Sequence, residues 1–132
     1  MFQQDDPMLA RVRRITLSFP GAAEKVSHGR PAFYTTKIFA YYGGSVKVDD
    51  SWIQHDQSIL VLLDPTERRA LLGDSRVYVP GYLGGYGWIG FDVANDQISW
   101  DEVGELIDSS YRSTAPKRLV AELDAGSSVA QP

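Results

Sequence analysis

The sequence predicts an α+β domain, an antiparallel sheet of about five strands with helices packed on it. Three observations lead to that class. Helix-start signatures stand at Asp6-Pro7, Asp64-Pro65-Thr66-Glu67 and Ser99-Trp100-Asp101-Glu102, each followed by apolar residues at helical spacing. Between them lie short stretches rich in aromatic and β-branched residues. The links between neighbouring strands are too short for a parallel crossover, so they pair antiparallel. Helices then collect on one face or one end of the sheet.

Asp6 caps and Pro7 opens a first helix that runs to about Ser18 and stops before Phe19-Pro20-Gly21. Its apolar face carries Leu9, Val12, Ile15 and Phe19, with Arg11, Arg13 and Arg14 across the other half. Ala32–Thr35 and Lys37–Tyr42 read as strands, Gly43-Gly44 as a hairpin turn and Ser45–Val48 as the return strand. Asp49–Gln57 is polar and reads as a loop. The continuous apolar run Ile59–Leu63 reads as a central strand.

A short helix follows from Asp64-Pro65 to the stop at Leu72-Gly73, then strands at Val77–Val79 and Trp88–Val93, the latter ended by an Asn95-Asp96 turn. Trp100, Val103, Leu106, Ile107 and Tyr111 form the stripe of a helix reaching about Arg112. A last short helix starts at Ala115-Pro116-Lys117 and ends near Leu123. Residues 1–123 form a single domain and residues 124–132 a mobile tail. The expected core comprises Leu9, Val12, Ile15, Phe33, Phe39, Leu60, Leu62, Leu71, Trp100, Leu106 and Ile107.

With 132 residues, the chain buries about two thirds of its unfolded surface, enough for a core without staples. It contains no cysteine, which excludes disulfides and thiolate metal sites. No apolar run approaches the ~20 residues a membrane span needs, and the polar, acidic Met1–Asp6 is no secretory signal. A cytoplasmic protein without a membrane partner is the expectation. The net charge of −4 hides an asymmetry: residues 1–48 carry +4 and residues 49–132 carry −8. A pI near 5.0 argues against a dedicated nucleic-acid binder, while the basic N-terminal part allows a local patch.

The sequence offers little catalytic chemistry. There is no Gly-x-Ser-x-Gly elbow, His28 beside Ser27 has no special spacing, and His55 beside Asp56 lies in the polar loop. Two histidines 27 residues apart make no metal ligand set. Gly85-Tyr86-Gly87-Trp88-Ile89-Gly90 matches the dinucleotide fingerprint by letter, but a strand follows it instead of a helix, so no helix N-terminus faces a pyrophosphate. The segment Pro80–Trp88 is still distinctive. Its glycines permit positive φ and close approach, and aromatic rings alternate with them. It reads as a packed loop or as a platform on which a ligand or base stacks.

Leu17-Ser18-Phe19-Pro20-Gly21-Ala22, Glu24 to Phe33, the Tyr82–Gly90 loop, Trp100-Asp101-Glu102-Val103 and Ser110 to Leu119 together resemble the MmcQ/YjbR family. The resemblance covers about residues 8–120. It implies an antiparallel α+β fold likened to secretion chaperones, and a double-wing DNA-binding role without defined catalytic residues. Two readings follow, neither an enzyme and neither needing a cofactor; the expected one is the first, weak and largely sequence-independent DNA binding, with the second as its alternative. In the first, DNA is the partner and phosphates meet Arg11, Arg13, Arg14, Lys25, Arg30, Lys37 and Lys47. In the second, a small molecule or protein docks on the glycine-aromatic loop through His28, Tyr82, Tyr86 and Trp88, with Arg30, Lys117 and Arg118 nearby.

Overall fold

The structure is a computed structural model that describes residues 2–94 and 96–130, the last four of these in backbone only. In chain order its helices are α1 (Pro7–Thr16), α2 (Pro65–Leu71), α3 (Trp100–Thr114) and α4 (Lys117–Ala130). The strands are β1 (Ala23–Ser27), β2 (Arg30–Tyr34), β3 (Ile38–Val48), β4 (Ser51–Val61), β5 (Val77–Tyr78) and β6 (Ile89–Asp92). Among the described residues, the six strands form one sheet in the order β1-β2-β3-β4-β6-β5, antiparallel throughout. The α+β class is therefore observed, with one strand more than expected. No helix among the described residues is long and apolar enough to cross a membrane.

The helices begin where their caps dictate. Asp6 accepts from Met8 N–H, Asp64 from Thr66 and Glu67 N–H, and Ser99 from Glu102 N–H, satisfying donors that the first helical turn leaves unpaired. Helix α4 runs past Leu123 to Ala130, so most of the expected tail is helical; residues 131–132, and Asn95 of the expected turn, lie outside the described residues.

The β3–β4 region corrects the sequence reading. Gly43-Gly44 makes no turn: β3 continues through it to Val48, and the expected loop Asp49–Gln57 is mostly the first part of β4. The chain reverses at Asp49-Asp50, where Val48 pairs with Ser51. Glycine's tolerance of positive φ serves a bulge here, with Gly43 at φ +89° between the Tyr42 and Gly44 pairings. Beyond the bulge, Gly44–Val48 and Ser51–His55 pair only with each other, as a two-stranded ribbon projecting from the sheet. The sequence reading also left out β1. It pairs with β2 across His28-Gly29, both at positive φ, the combination a two-residue hairpin turn requires.

Strand alternation divides the buried residues into two layers. Phe33, Phe39, Tyr42, Ile59, Val61, Ile89 and Phe91 meet Leu9 and Val12 of α1, Leu106, Ile107 and Tyr111 of α3, and Leu119 of α4. Ser110 Oγ donates to Phe39 C=O and accepts from Leu62 N–H, and Tyr111 Oη donates to Pro20 C=O, fixing α3 on the sheet. On the opposite face Ala32, Tyr41, Leu60 and Trp88 form a smaller cluster, capped by Leu83 of a 3-10 turn (Leu83–Tyr86) and no long helix. Of the expected core, Ile15, Leu62, Leu71 and Trp100 are half-buried because each lies at the margin of a layer.

Candidate functional site

A cleft of about 210 Å³ opens on the face away from the long helices. Three walls enclose it: the β1–β2 turn with Ser27, His28 and Arg30, the root of the ribbon with Gly43, Gly44, Ser45 and Trp52, and the loop Pro80–Leu83. Tyr41 and Leu60, from the smaller buried cluster, line it from the sheet.

Aromatic rings surround the opening. His28 lies 6.1 Å from Tyr82 and 6.5 Å from Tyr41, centroid to centroid. Tyr82 is 72% exposed and Trp52 52% exposed. Trp52 lies across Gly81, where a Cβ would collide with its ring, and Gly81 N–H donates to Ser45 C=O at 2.8 Å. The loop is thereby fastened to the ribbon. Its far end is held by Arg68 Nε, which donates to Gly87 C=O at 2.9 Å.

The backbone that presents Tyr82 is strained. Tyr82 sits at φ +65°, ψ −66°, and Leu83 N–H donates to Gly81 C=O at 2.7 Å. These are the marks of the rare positive-φ γ-turn. His28, at φ +55°, also has an unusual backbone for a residue with a side chain. Such conformations cost about 1–3 kcal/mol and collect at ligand clamps. Two of the three non-glycine positive-φ residues among those described thus line one cleft.

Arg30 supplies the cleft's cation, and its head group is largely engaged. It donates to Gln54 Oε1 at 2.6 Å, to Asp56 Oδ1 at 3.1 Å and to Gly44 C=O at 3.3 Å. All three acceptors belong to β3 and β4, so Arg30 pins the ribbon to β2. The bulge makes room for it, since a Cβ on Gly43 would collide with Nη1.

Behind the cleft, Tyr78 lies over Gly90, where a side chain would strike its ring. Its hydroxyl meets Ser58 Oγ at 2.6 Å, and burial pushes its pKa well above the usual range. His55 stacks on Tyr78 at 4.0 Å and 15°, and its Nδ1 lies 2.8 Å from Asp92 Oδ1. His55 therefore belongs to a strand and partners Asp92, a cross-strand choice that its neighbour Asp56 did not announce.

The other expected site residues are dispersed. Trp88 is 7% exposed and packs edge-on against Tyr41 at 5.1 Å, supporting the site from beneath. Tyr86 lies 5.9 Å from Tyr82 but lines a neighbouring hollow with Arg68, Leu72 and Ser113. Lys117 and Arg118 begin α4, whose Leu119 packs into the layer on the other side of the sheet, so the structure does not bring them to the cleft.

Nor do the basic residues gather. Arg11 stacks over Trp100 at 4.1 Å, Arg13 forks onto both Glu24 oxygens at 2.9–3.1 Å, and Lys25 Nζ lies over the Tyr34 ring at 4.7 Å. Arg14 is exposed on α1. Lys37 precedes β3 and Lys47 lies near its far end, roughly 30 Å of strand apart. Arg30 faces away from α1. Trp52 was missed in the sequence; its signal was the apolar pair Trp52-Ile53 inside a mostly polar run.

Residues 17–113 match the sequence profile of the YjbR family, nearly three quarters of the chain. The chain belongs to the YjbR family. The crystal structure of Deinococcus radiodurans protein DR2400, which carries the DUF419 domain, is similar to this YjbR protein in fold. The likeness covers 90% of this chain and 91% of that one, with a TM-score of 0.58 and 17% identity. No curated protein shows significant similarity to the chain. Ser27, His28 and Arg30 are far in sequence from Gly81, Tyr82 and Leu83, and the two segments, both within the matched region, meet at the cleft.

Proposed function

We propose that this YjbR protein is a binding module, not a catalyst, and that it seats one planar ring in the cleft between the ribbon and the glycine-aromatic loop. One observation carries the reading: a strained γ-turn holds the exposed Tyr82 ring at the mouth of a cleft that His28, Tyr41 and Trp52 also line. Exposed rings on a strained backbone are costly unless they meet something, and amphipathic rings suit binding. At about 210 Å³ the cleft is smaller than the ~300–1,000 Å³ that whole drug-sized ligands occupy, so it suits a single ring. Duplex DNA draws less support, because Arg13 and Arg30 are committed to carboxylates and Lys37 and Lys47 stand far apart.

The test is an amide and indole NMR titration of labelled protein with single-ring fragments. Shifts should concentrate at Ser45, Trp52, Gly81 and Tyr82 and vanish in the Trp52→Ala, Tyr82→Ala double variant. A duplex titrated at two salt concentrations is the competing arm. Salt-steep duplex binding lost in the Arg11→Glu, Arg14→Glu variant, with no fragment shifts at the cleft, would overturn the reading in favour of DNA.

A further inference from the structure

We infer that the cleft selects one-ring aromatic acids over neutral or cationic rings; this rests on the ring-binding reading above and adds the charge of the ligand. Aromatic walls alone leave that charge open, since rings also cage cations. The charged groups at the cleft decide it. Among the described residues that line it, Arg30 brings a guanidinium and none is a carboxylate. A cation entering here would meet a guanidinium and no carboxylate among the lining residues.

Arg30 also has donors to give. Its three hydrogen bonds use three of the five guanidinium N–H groups, leaving two, Nε–H among them, without an acceptor among the described residues. Charge-assisted bonds of this kind are stronger than neutral ones. Ser27 Oγ, 3.2 Å from His28 Nδ1, adds a neutral polar group on the same wall.

Asp56 opposes the preference and so provides the handle on it. This carboxylate pairs with Arg30 from outside the cleft and is half exposed. It neutralises part of the field an anion would feel, so the wild-type preference should be modest. Removing its charge while keeping an acceptor should enlarge the preference without unpinning the ribbon.

The experiment compares benzoate, benzyl alcohol and benzyltrimethylammonium by NMR titration against the wild type and Asp56→Asn. Benzoate should bind about two- to fivefold more tightly than benzyl alcohol, the size expected of one partly exposed ion pair. The ammonium should bind more weakly than either. In Asp56→Asn, benzoate should gain about threefold or more while benzyl alcohol stays unchanged. Arg30→Met should erase the benzoate preference; its amide spectrum reports whether the ribbon stays in place, and Asp56→Asn decides the question if it does not. Binding of benzyl alcohol or the ammonium as tight as benzoate, or a benzoate affinity indifferent to Asp56→Asn, overturns the acid preference and leaves ring binding standing. Absence of any ring probe from the cleft overturns both.

Discussion

The two faces of the sheet are built from the same strands and serve different ends. On the helix side, Phe33, Phe39, Tyr42, Ile59 and Val61 are fully buried and interlock with α1, α3 and α4. On the other side the positions in between carry Ala32, Tyr41 and Leu60, and Gly44 and Gly90 leave the backbone bare beneath the Tyr78 ring. Large side chains fill the first face to the density that stability requires. Glycines on the second side, Gly43, Gly44, Gly81 and Gly90, let Arg30, Tyr78 and Trp52 lie flat against the chain, so that a cleft remains. The helix side therefore holds the fold, and the open side is free to carry strain and exposed rings.

The largest effect that would break this division is a cavity on the helix side. Phe39→Ala removes a fully buried ring that meets Tyr111 edge-on at 5.2 Å and Phe19 at 6.1 Å. It should cost about 3–5 kcal/mol in urea unfolding. Trp52→Ala, a ring of larger size on the open side, should cost under about 1 kcal/mol, because half of its surface already faces water. Equal costs would mean that the ribbon belongs to the core.

The same division decides what could be read from the sequence. The helices were legible because their starts are written in local chemistry: Asp6-Pro7, Asp64-Pro65 and Ser99 with Glu102 all cap as their spacing implies. The helix-side strands were legible from apolar runs such as Ile59–Leu63. The ribbon was not. Gly43-Gly44 suits a turn and a bulge equally well, and Ser51–Gln57 has no buried face to impose alternation. Of the site, the glycine-aromatic loop stood out by composition, while His28 showed no special spacing and was only placed near it. That Arg30 would be spent on Asp56 and Gln54, and that Trp52 would lie on Gly81, depended on cross-strand register, which no local pattern encodes.

A smaller effect sharpens the contrast by separating strain from contact at Tyr82. Tyr82→Gly removes the Cβ that makes φ +65°, ψ −66° costly, and its ring is mostly exposed, so little packing is lost. Relief of about 1–3 kcal/mol outweighs the roughly 0.4–1 kcal/mol that glycine adds in unfolded-chain entropy. The net gain should be about 1 kcal/mol in urea unfolding, with loss of ring binding. Tyr82→Ala keeps the Cβ and should lose binding without that gain. If Tyr82→Gly is no more stable than Tyr82→Ala, the γ-turn stores no strain.

The smallest effect is electrostatic and lies where the edge of the sheet meets the helix side. Arg76 donates to Asp74 Oδ2 at 2.7 Å and to both Glu102 oxygens at 2.8 Å, tying the approach to β5 to the first turn of α3. The hydrogen bonds from Arg76 hold the Asp74 carboxyl at about 2, below its ordinary 3.8, and keep Glu102 below its usual range as well. Between those two Asp74 values the unfolded chain binds more protons than the folded one, so stability rises with pH. The contribution is complete above the unfolded value and disappears as pH falls through the folded one. These groups lie at the surface, where solvent and salt screen them, so the expected change is small and shrinks with added salt. Melting temperatures at pH 5 and pH 3 should fall less in Arg76→Gln than in the wild type, because that variant has already lost the partner whose effect acid removes. An identical fall in both proteins would show that Arg76 leaves the acid stability of the edge unchanged.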